Sequence, residues 1–367
     1  MSLHADLDYL RGYASSSCPD SPTAVVPRQS IALRYQVAYD AKHLVSAARR
    51  KARASLEWAG LPLLYGGLWV ARWYRPSFHR TSPHVYSVAD RLGVYPVIDH
   101  YHDPPVRYAP DSHSRDRRLP GIDMRVDGQL DLLEHLRFGQ ELSLIPRKWR
   151  PTASPYYDNQ SFAPADAAIY HSLIRHFRPR RVIEIGAGES TRFAAHALAL
   201  NAAEGNPAEL VAIEPFEAPY LEELGVTVIR ERVEDVGTEF FAGLQANDFV
   251  FIDSSHVARP GGDVAFLLLE VVPALARGVV LHIHDVFTPR DYPAEWGRRR
   301  WFWTEQYVVE ALLTYNANLE VLLSVSFMLE RYPREFGFAC PVPAARGGGP
   351  TPSSIWLRTT EGLGPER

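Results

Sequence analysis

The chain has 367 residues, of which 46% are hydrophobic and 22% charged, and 39 Lys and Arg face 43 Asp and Glu for a formal net charge of −4. This is the composition of an ordinary globular protein, and its near balance of charge excludes a global field that attracts nucleic acid or lipid. Two distant cysteines, Cys18 and Cys340, exclude a disulfide framework or a cysteine zinc site, and a cytoplasmic location fits best.

Residues 1–155 are predicted to form an extension that mixes helical and irregular segments. A helical pattern begins at Tyr35, and an apolar stretch, WAGLPLLYGGLWVARWY, begins at Trp58. That stretch is too short and too interrupted to span a bilayer. Packing on the main domain or on a second subunit of a homodimer is therefore favoured over membrane contact. The extension is expected to wall an acceptor pocket, to act as a lid or to make dimer contacts, and DGQLDLLEHLRFGQEL is a helix signal near its end.

Residues 156–367 are predicted to form a second domain, because strands and helices alternate there. After the helix of PADAAIYHSLIRHF, five apolar strands, RVIEIG, ELVAIEP, VTVIRE, NDFVFIDSSH and GVVLHIHDV, are separated by helical segments. Near-continuous apolar strands indicate a parallel sheet that is covered on both faces. Two late strands, NLEVLLSVS and SSIWLRT, with no helix predicted between them, indicate an antiparallel pair at one edge. The expected fold is α/β: a Rossmann-like, doubly wound, mostly parallel seven-stranded sheet with an antiparallel edge strand.

The first strand ends in a glycine turn, EIGAGES. Ligands of doubly wound sheets bind beyond the carboxyl ends of the strands, and glycine lets a ligand approach the backbone. Gly186 and Gly188 are therefore candidate ligand-binding residues. Glu214 ends the second strand, about where an acid holds the two ribose hydroxyls of a nucleoside cofactor. A dinucleotide fingerprint requires a third glycine or alanine where Thr191 stands, which makes a nicotinamide-dependent oxidoreductase the less favoured alternative.

The Glu-x-Gly-x-Gly turn, Glu214 and the five alternating strands resemble class I S-adenosylmethionine-dependent methyltransferases. Three later segments, HIHDVFTPRDYPAEW, WTEQYVVEALLTYN and SSIWLR, resemble a bacterial subgroup of that family that acts on small molecules. The resemblance covers roughly residues 157–358. It implies S-adenosylmethionine as cofactor and a small-molecule acceptor as the binding partner.

The resemblance also implies roles for individual residues around the cofactor. Gly186 and Gly188 would approach the methionine part, Glu184 would face its amino group, and Glu214 would hold the ribose. Glu234 falls where the family often contacts adenine, and the segment before the first helix often folds across the cofactor. The remaining implied cofactor contacts are Ser190, Asp253, Tyr157 and Asn159.

The groups that act on the acceptor are expected at the ends of the fourth and fifth strands. Asp253 and His256 follow one strand, and His284 and Asp285 follow the other. His282 alternates onto the same face as His284 and is expected to be a hydrogen-bonded core histidine.

Two mechanisms stay open for this cluster. In the favoured one, His256 and His284 handle the acceptor proton without a metal, and Asp285 orients one of them. In the other, Asp253 and Asp285, with or without a histidine, bind a divalent cation.

The sequence thus predicts O-methylation of a small molecule at a hydroxyl or a carboxylate. A non-catalytic nucleoside-binding or scaffold protein is the alternative from another class. Trp301 and Trp303 are expected to be core or interface anchors rather than a stacking platform.

Overall fold

The computed structural model divides the chain into two compact units, Met1–Arg91 and Leu92–Arg367. It describes residues 60–69, 87, 91–92, 111–150, 155–216, 220–299, 301–342 and 350–360. In the first unit, residues 60–69 form a helix with exposed apolar side chains. Within the described ranges, every helix is too short or too polar to cross a membrane. The helical pattern predicted from Tyr35 lies outside them.

The second unit contains seven strands and the helices that cover them. The strands are β1 (Arg181–Ile185), β2 (Glu209–Ile213), β3 (Thr227–Ile229), β4 (Phe249–Ile252), β5 (Val280–Ile283), β6 (Leu319–Ser324) and β7 (Ile355–Thr359). The helices are α1 (Val126–His135), α2 (Gly139–Leu144), α3 (Pro164–Phe177), α4 (Glu189–Ala203), α5 (Val233–Val236), α6 (Asp263–Phe266), α7 (Ala294–Arg299), α8 (Glu305–Leu313), α9 (Val325–Arg331) and α10 (Pro333–Ala339). Helix α6 continues through a π-helical turn, Leu267–Val271, into Val272–Ala274.

The sheet has the order β3-β2-β1-β4-β5-β7-β6, which confirms the predicted doubly wound α/β fold. Strands β1 to β5 are parallel, and β7 runs antiparallel to both β5 and β6. The antiparallel strand therefore lies one place inside the edge strand β6. The expectation of no helix between the last two strands is wrong: α9 and α10 lie there, because Met328 and Phe336 bury into the core.

Side chains of each central strand alternate between two separate cores. In β4, Phe249 and Phe251 pack with Phe193 of α4 on one face of the sheet. Val250 and Ile252 pack on the other face. Because both faces are covered, polar side chains that must meet a ligand are confined to the ends of the strands.

The helices that precede the sheet pack with it in the second unit. Leu133 of α1 and Leu142 of α2 belong to the same core cluster as Phe193. The single predicted helix is two helices, because the chain leaves helical geometry at Leu136. The predicted domain boundary between residues 155 and 156 stays a prediction.

Candidate active site

The carboxyl ends of β1, β4 and β5 lie side by side. Ile185, Ile252 and Ile283 are register partners across the three strands. The next residue of each strand, Gly186, Asp253 and His284, therefore faces the same edge of the sheet. The backbone N–H of Asp253 donates to the carbonyl of Ile185 at 2.9 Å, and that of His284 donates to Ile252 at 2.9 Å. The strand register thus assembles the site that the sequence predicts there.

The chain at the end of the neighbouring strand β4 leaves room only for glycine at position 186, whether or not a ligand is bound. Its φ is +79°, and a Cβ at this position would lie 1.8 Å from the carbonyl oxygen of Asp253. Gly188 is different, because a Cβ there would meet only the Tyr220 hydroxyl at 4.0 Å. Of the two glycines, Gly188 is the one with open space beside its backbone. The Thr191 hydroxyl accepts from the Gly188 N–H at 3.0 Å and so begins α4 without a third glycine.

Glu184 lies fully buried beneath the glycine turn. The Tyr170 hydroxyl donates to its Oε1 at 3.0 Å, and Oε2 accepts no hydrogen bond within the described part of the chain. Burial raises the pKa of Glu184 to about 7. Ser190 is also buried, in the first turn of α4. A carboxyl with an unused acceptor oxygen suits a donor such as an ammonium group, so the predicted role of Glu184 is chemically reasonable and stays a prediction.

A first cavity of about 290 Å³, here called the cofactor cavity after the role that the sequence predicts for it, opens over the ends of β1 and β2. Glu214 follows β2, and its Oε1 accepts from the Phe216 N–H at 2.9 Å. Glu234 lies on α5 at the far side. The cavity is lined by Ile185, Gly186, Ile213, Glu214, Pro215, Phe216, Arg232, Val233, Glu234, Asp253, Ser254, Ser255, Arg259 and Asp263. Four of the predicted cofactor residues, Gly186, Glu214, Glu234 and Asp253, are therefore brought together.

Tyr157 and Asn159 are not brought to this cavity. Tyr157 is buried in the core, where its hydroxyl donates to the Leu142 carbonyl at 3.0 Å. The side-chain oxygen Oδ1 of Asn159 accepts from the backbone N–H groups of Ser161 and Phe162, at 3.1 Å and 2.7 Å, and so closes a turn before α3. In this structure both side chains hold the local backbone rather than line the cofactor cavity.

A second cavity of about 590 Å³, here called the acceptor cavity after its predicted role, is also lined by Asp253. It is lined by Gln160, Ser161, Asp253, His256, His284, Asp285, Pro293, Glu295, Trp296, Arg299, Trp301, Trp303, Pro350 and Thr351. The four predicted acceptor-side residues all lie in it. Trp301 and Trp303 also line it, and because each is half-buried they are not core side chains, whereas their expected role as interface anchors stays a prediction.

His256 is the centre of a cluster of acids in the acceptor cavity. Its Nε2 lies 3.3 Å from Asp253 Oδ1 and 3.6 Å from Asp285 Oδ2. Its Nδ1 contacts Glu305 Oε2 at 2.8 Å, which places a hydrogen on Nδ1 and turns Nε2 towards the two aspartates. Burial alone would lower the pKa of His256, but hydrogen bonds and charges of Asp253 and Glu305 raise it well above its ordinary value.

Glu305 is a functional residue that the sequence analysis missed. It is buried at the start of α8, some fifty positions after His256 along the chain, and burial raises its pKa. An acid in the first turn of a helix is common, because it interacts favourably with the helix dipole. The sequence therefore carried no signal that this acid orients a histidine. Asp285 accepts from the Ser353 hydroxyl at 2.7 Å and lies 3.6 Å from His256 Nε2, and its expected role in orienting a histidine stays a prediction.

His282 in β5 and His284 just after it have different environments. His282 stacks on Phe251 with ring centroids 3.8 Å apart, and burial lowers its pKa well below the ordinary value. It contacts His284 through Nε2 and Nδ1 at 3.2 Å, as expected of a hydrogen-bonded core histidine. Burial opposes the charge on His284 too, but the carboxylates of Asp253, Asp285 and Asp166 raise its pKa. These carboxylates therefore favour the charged form of His284, which lines the second cavity described above.

The backbone is strained at two of these positions. His256 has φ +60° and Asp285 has φ +57°, although neither is glycine. Positive φ values in such residues are uncommon and persist where the surrounding structure holds them, often at functional sites. Both residues present their side chains to the same cluster.

Three members of the cluster fit a divalent cation. Among the described residues, Asp253, His256 and Asp285 each offer a ligand atom, and these atoms lie within 4.8 Å of one another. Glu305 on the other ring nitrogen of His256 is the usual support of a metal-binding histidine. Mixed oxygen and nitrogen ligands suit Mn²⁺, Fe²⁺, Co²⁺ or Zn²⁺ better than an all-oxygen ion such as Mg²⁺.

Residues 183–286 match the model of a family described as "Methyltransferase domain". A curated protein from Archaeoglobus fulgidus, described as an uncharacterized protein, is 32% identical over 142 residues, which cover 36% of this chain and 62% of that protein. The chain therefore matches less than two thirds of that relative's length.

Two solved structures are similar at low sequence identity. The O-methyltransferase from Bacillus cereus in complex with SAH is 14% identical, with 64% of this chain and 91% of that chain covered and a TM-score of 0.33. The O-methyltransferase TomG from Streptomyces achromogenes, involved in tomaymycin synthesis and solved with SAM, is 18% identical, with 63% and 89% covered and a TM-score of 0.32.

Proposed function

We propose that this chain transfers a methyl group from S-adenosylmethionine to an oxygen of a small molecule, because residues 183–286 match the model of a methyltransferase domain. The observation that carries the proposal is the position of Asp253, which lines both the cofactor cavity and the acceptor cavity. A donor in one cavity and an acceptor in the other would meet beside this residue. Such an arrangement suits an in-line displacement, in which alignment of the two reactants supplies much of the acceleration.

Residues of the first cavity are assigned to the cofactor. S-adenosylmethionine, when bound, supplies an activated methyl group on a sulfonium. Glu214 would accept from the two ribose hydroxyls, and Glu234 would lie near the adenine. The open backbone at Gly188 would admit the methionine part, with the buried Glu184 next to its amino group.

The acid–histidine cluster is assigned to the acceptor proton. A cationic His256 is a poor base as it stands, because its pKa is raised well above its ordinary value. Asp253 and Asp285 are the groups that can accept a hydrogen bond from an acceptor hydroxyl. A nucleoside-binding scaffold would share the cofactor cavity but would have no need of this cluster or of its strained backbone at His256.

A second candidate is the cation-dependent form of the same reaction, which the donor set at Asp253, His256 and Asp285 favours over the metal-free base. The cation would orient the acceptor oxygen and make its hydroxyl more acidic. In that form His256 would be a ligand rather than a base. Glu305, at Nδ1 of His256, would keep Nε2 of the same ring turned to the ion.

The cofactor assignment is tested with Glu214→Ala. We expect S-adenosylhomocysteine to bind the wild-type chain and to bind the variant about 100-fold more weakly, because two hydrogen bonds to a charged acceptor are lost. Isothermal titration calorimetry measures this directly. Glu209→Ala is the matched control, since Glu209 begins the same strand at its opposite end and its side chain is 51% exposed. Equal binding by Glu214→Ala and the wild type would contradict the assignment.

The cation-dependent form is tested by titrating Mn²⁺ into the chelator-treated protein. We expect one bound ion, and at least about tenfold weaker binding in Asp285→Asn, because an anionic ligand is replaced by a neutral one. Electron paramagnetic resonance of free Mn²⁺ gives the affinity. Asp235→Asn removes an exposed acid outside the cluster and should bind like the wild type. Absence of binding by the wild type would leave the metal-free base as the mechanism.

A further inference from the structure

Three indole rings form one side of the acceptor cavity, here called the tryptophan wall (Trp296, Trp301 and Trp303). Trp301 and Trp303 are stacked, with centroids 4.8 Å apart and an interplanar angle of 19°. Trp296 meets Trp303 edge-on, at 4.7 Å and 71°. All three are half-buried and line the cavity. The cavity therefore has indole rings on one side of a lining that also carries many polar side chains.

The tryptophan wall begins at the acid–histidine cluster. The Trp303 ring lies 4.3 Å from the His256 ring, with an angle of 38° between them. A molecule stacked along Trp303 would therefore have one end beside Asp253 and Asp285. The volume of about 590 Å³ is within the usual range for sites that take ligands of two or three fused rings.

We infer that the methyl acceptor is a planar aromatic alcohol, stacked along the tryptophan wall with its hydroxyl at Asp253, His256 and Asp285. This inference rests on the proposed function and names its substrate class. Aromatic rings favour offset stacking or edge contacts with indoles, and the wall offers surfaces for both. A saturated ring system of similar size has no flat face, so its contact with the indole rings contributes less to the free energy of binding.

The chemistry of a phenol also suits the cluster. A phenolic hydroxyl has an ordinary pKa near 10, far lower than that of an alkyl alcohol, so the carboxylates of Asp253 and Asp285 suffice to take up its proton. In the step, the phenol oxygen forms a bond to the methyl carbon while the bond from that carbon to sulfur breaks. The proton passes to the cluster and then to water, and S-adenosylhomocysteine is the leaving group. Atoms and charge balance without any further reactant.

A cationic acceptor is the main rival, because tryptophans also bind cations through their faces. The charges of the lining do not favour it. The guanidinium of Arg299 already lies over Trp301, 5.3 Å from the ring centroid. The three acids of the lining are matched by three basic side chains: Asp253, Asp285 and Glu295 against His256, His284 and Arg299.

The inference is tested with three probes on the full chain: 2-naphthol, its saturated analogue decahydro-2-naphthol, and benzyltrimethylammonium. Ligand-observed saturation-transfer NMR titrations give each Kd, with and without S-adenosylhomocysteine. We expect 2-naphthol to bind at least about tenfold more tightly than the other two. Trp303→Leu and Trp301→Leu should each weaken 2-naphthol binding by about tenfold, whereas Trp303→Phe, which keeps a ring, should retain most of it.

Trp149→Leu is the matched control, because Trp149 is 46% exposed and lies outside both cavities; it should bind like the wild type. Equal affinity for 2-naphthol and its saturated analogue, or unchanged binding in Trp303→Leu, would overturn the inference. A preference for benzyltrimethylammonium would overturn it in favour of a cationic acceptor. Failure of S-adenosylhomocysteine to bind would contradict the proposed function instead. The titrations of 2-naphthol and its saturated analogue in the absence of S-adenosylhomocysteine would still decide the inference about the acceptor.

Discussion

Gly186→Ala is expected to lower the free energy of unfolding by about 4 kcal/mol or more and to abolish binding of S-adenosylhomocysteine. The added Cβ would lie 1.8 Å from the carbonyl oxygen of Asp253, which is backbone and cannot move aside by a side-chain rotation. The ends of β1 and β4 would have to separate. Since Asp253 lines both cavities, the separation would disturb both. Urea unfolding and calorimetry measure the two effects.

Gly205→Ala separates the steric clash from the unfavourable backbone angle. Gly205 has φ +86°, close to that of Gly186, but nothing lies within 4 Å of its Cβ position. We expect a loss of only about 1 kcal/mol there, from the left-handed conformation alone, and unchanged ligand binding. If the two variants lose similar stability, the contact with Asp253 does not explain the glycine at 186.

The sheet was predictable because its signals are local. Each of the strands β1 to β5 is an apolar run that ends at a polar or glycine residue, and helices separate them. Period-two alternation also placed His282 and His284 on one face. The candidate site residues around Gly186 and around Asp253 could be predicted from the same strand pattern, because parallel strands end at a common edge of the sheet.

The residues that the sequence did not reveal depend on distant contacts. Glu305 is close to His256 only because the chain returns after β5, and its local context is that of an ordinary first helical turn. Trp301 and Trp303 lie in the irregular segment before α8, which has no periodicity from which a path could be derived. Tyr157 was assigned to the cofactor by resemblance, but its contact with Leu142 could be found only from the packed structure.

Glu184→Gln is expected to remove a loss of stability that the wild-type chain shows as the pH rises. Burial raises the pKa of Glu184 to about 7 from an ordinary 4.5. Between these values the folded chain holds the proton more tightly than the unfolded chain, so a stabilisation present below pH 4.5 is lost as the pH rises to 7. The loss is about 3 kcal/mol, from the linkage of pKa to stability. Glutamine is neutral at every pH, so the variant should be more stable than the wild type at pH 8.

Urea unfolding at pH 5, 6, 7 and 8 measures the free energy of unfolding of the wild type and of Glu184→Gln. The difference between the two values at each pH removes the contributions of other titrating groups. Glu209→Gln, at an exposed site on the neighbouring strand, should give a curve parallel to that of the wild type. If Glu184 faces the amino group of the cofactor, Glu184→Gln should also bind S-adenosylhomocysteine more weakly while being more stable. A carboxyl that is retained at a cost in stability and is needed for binding is typical of a functional site. A Glu184→Gln curve parallel to that of the wild type would mean that this carboxyl ionises normally despite its burial.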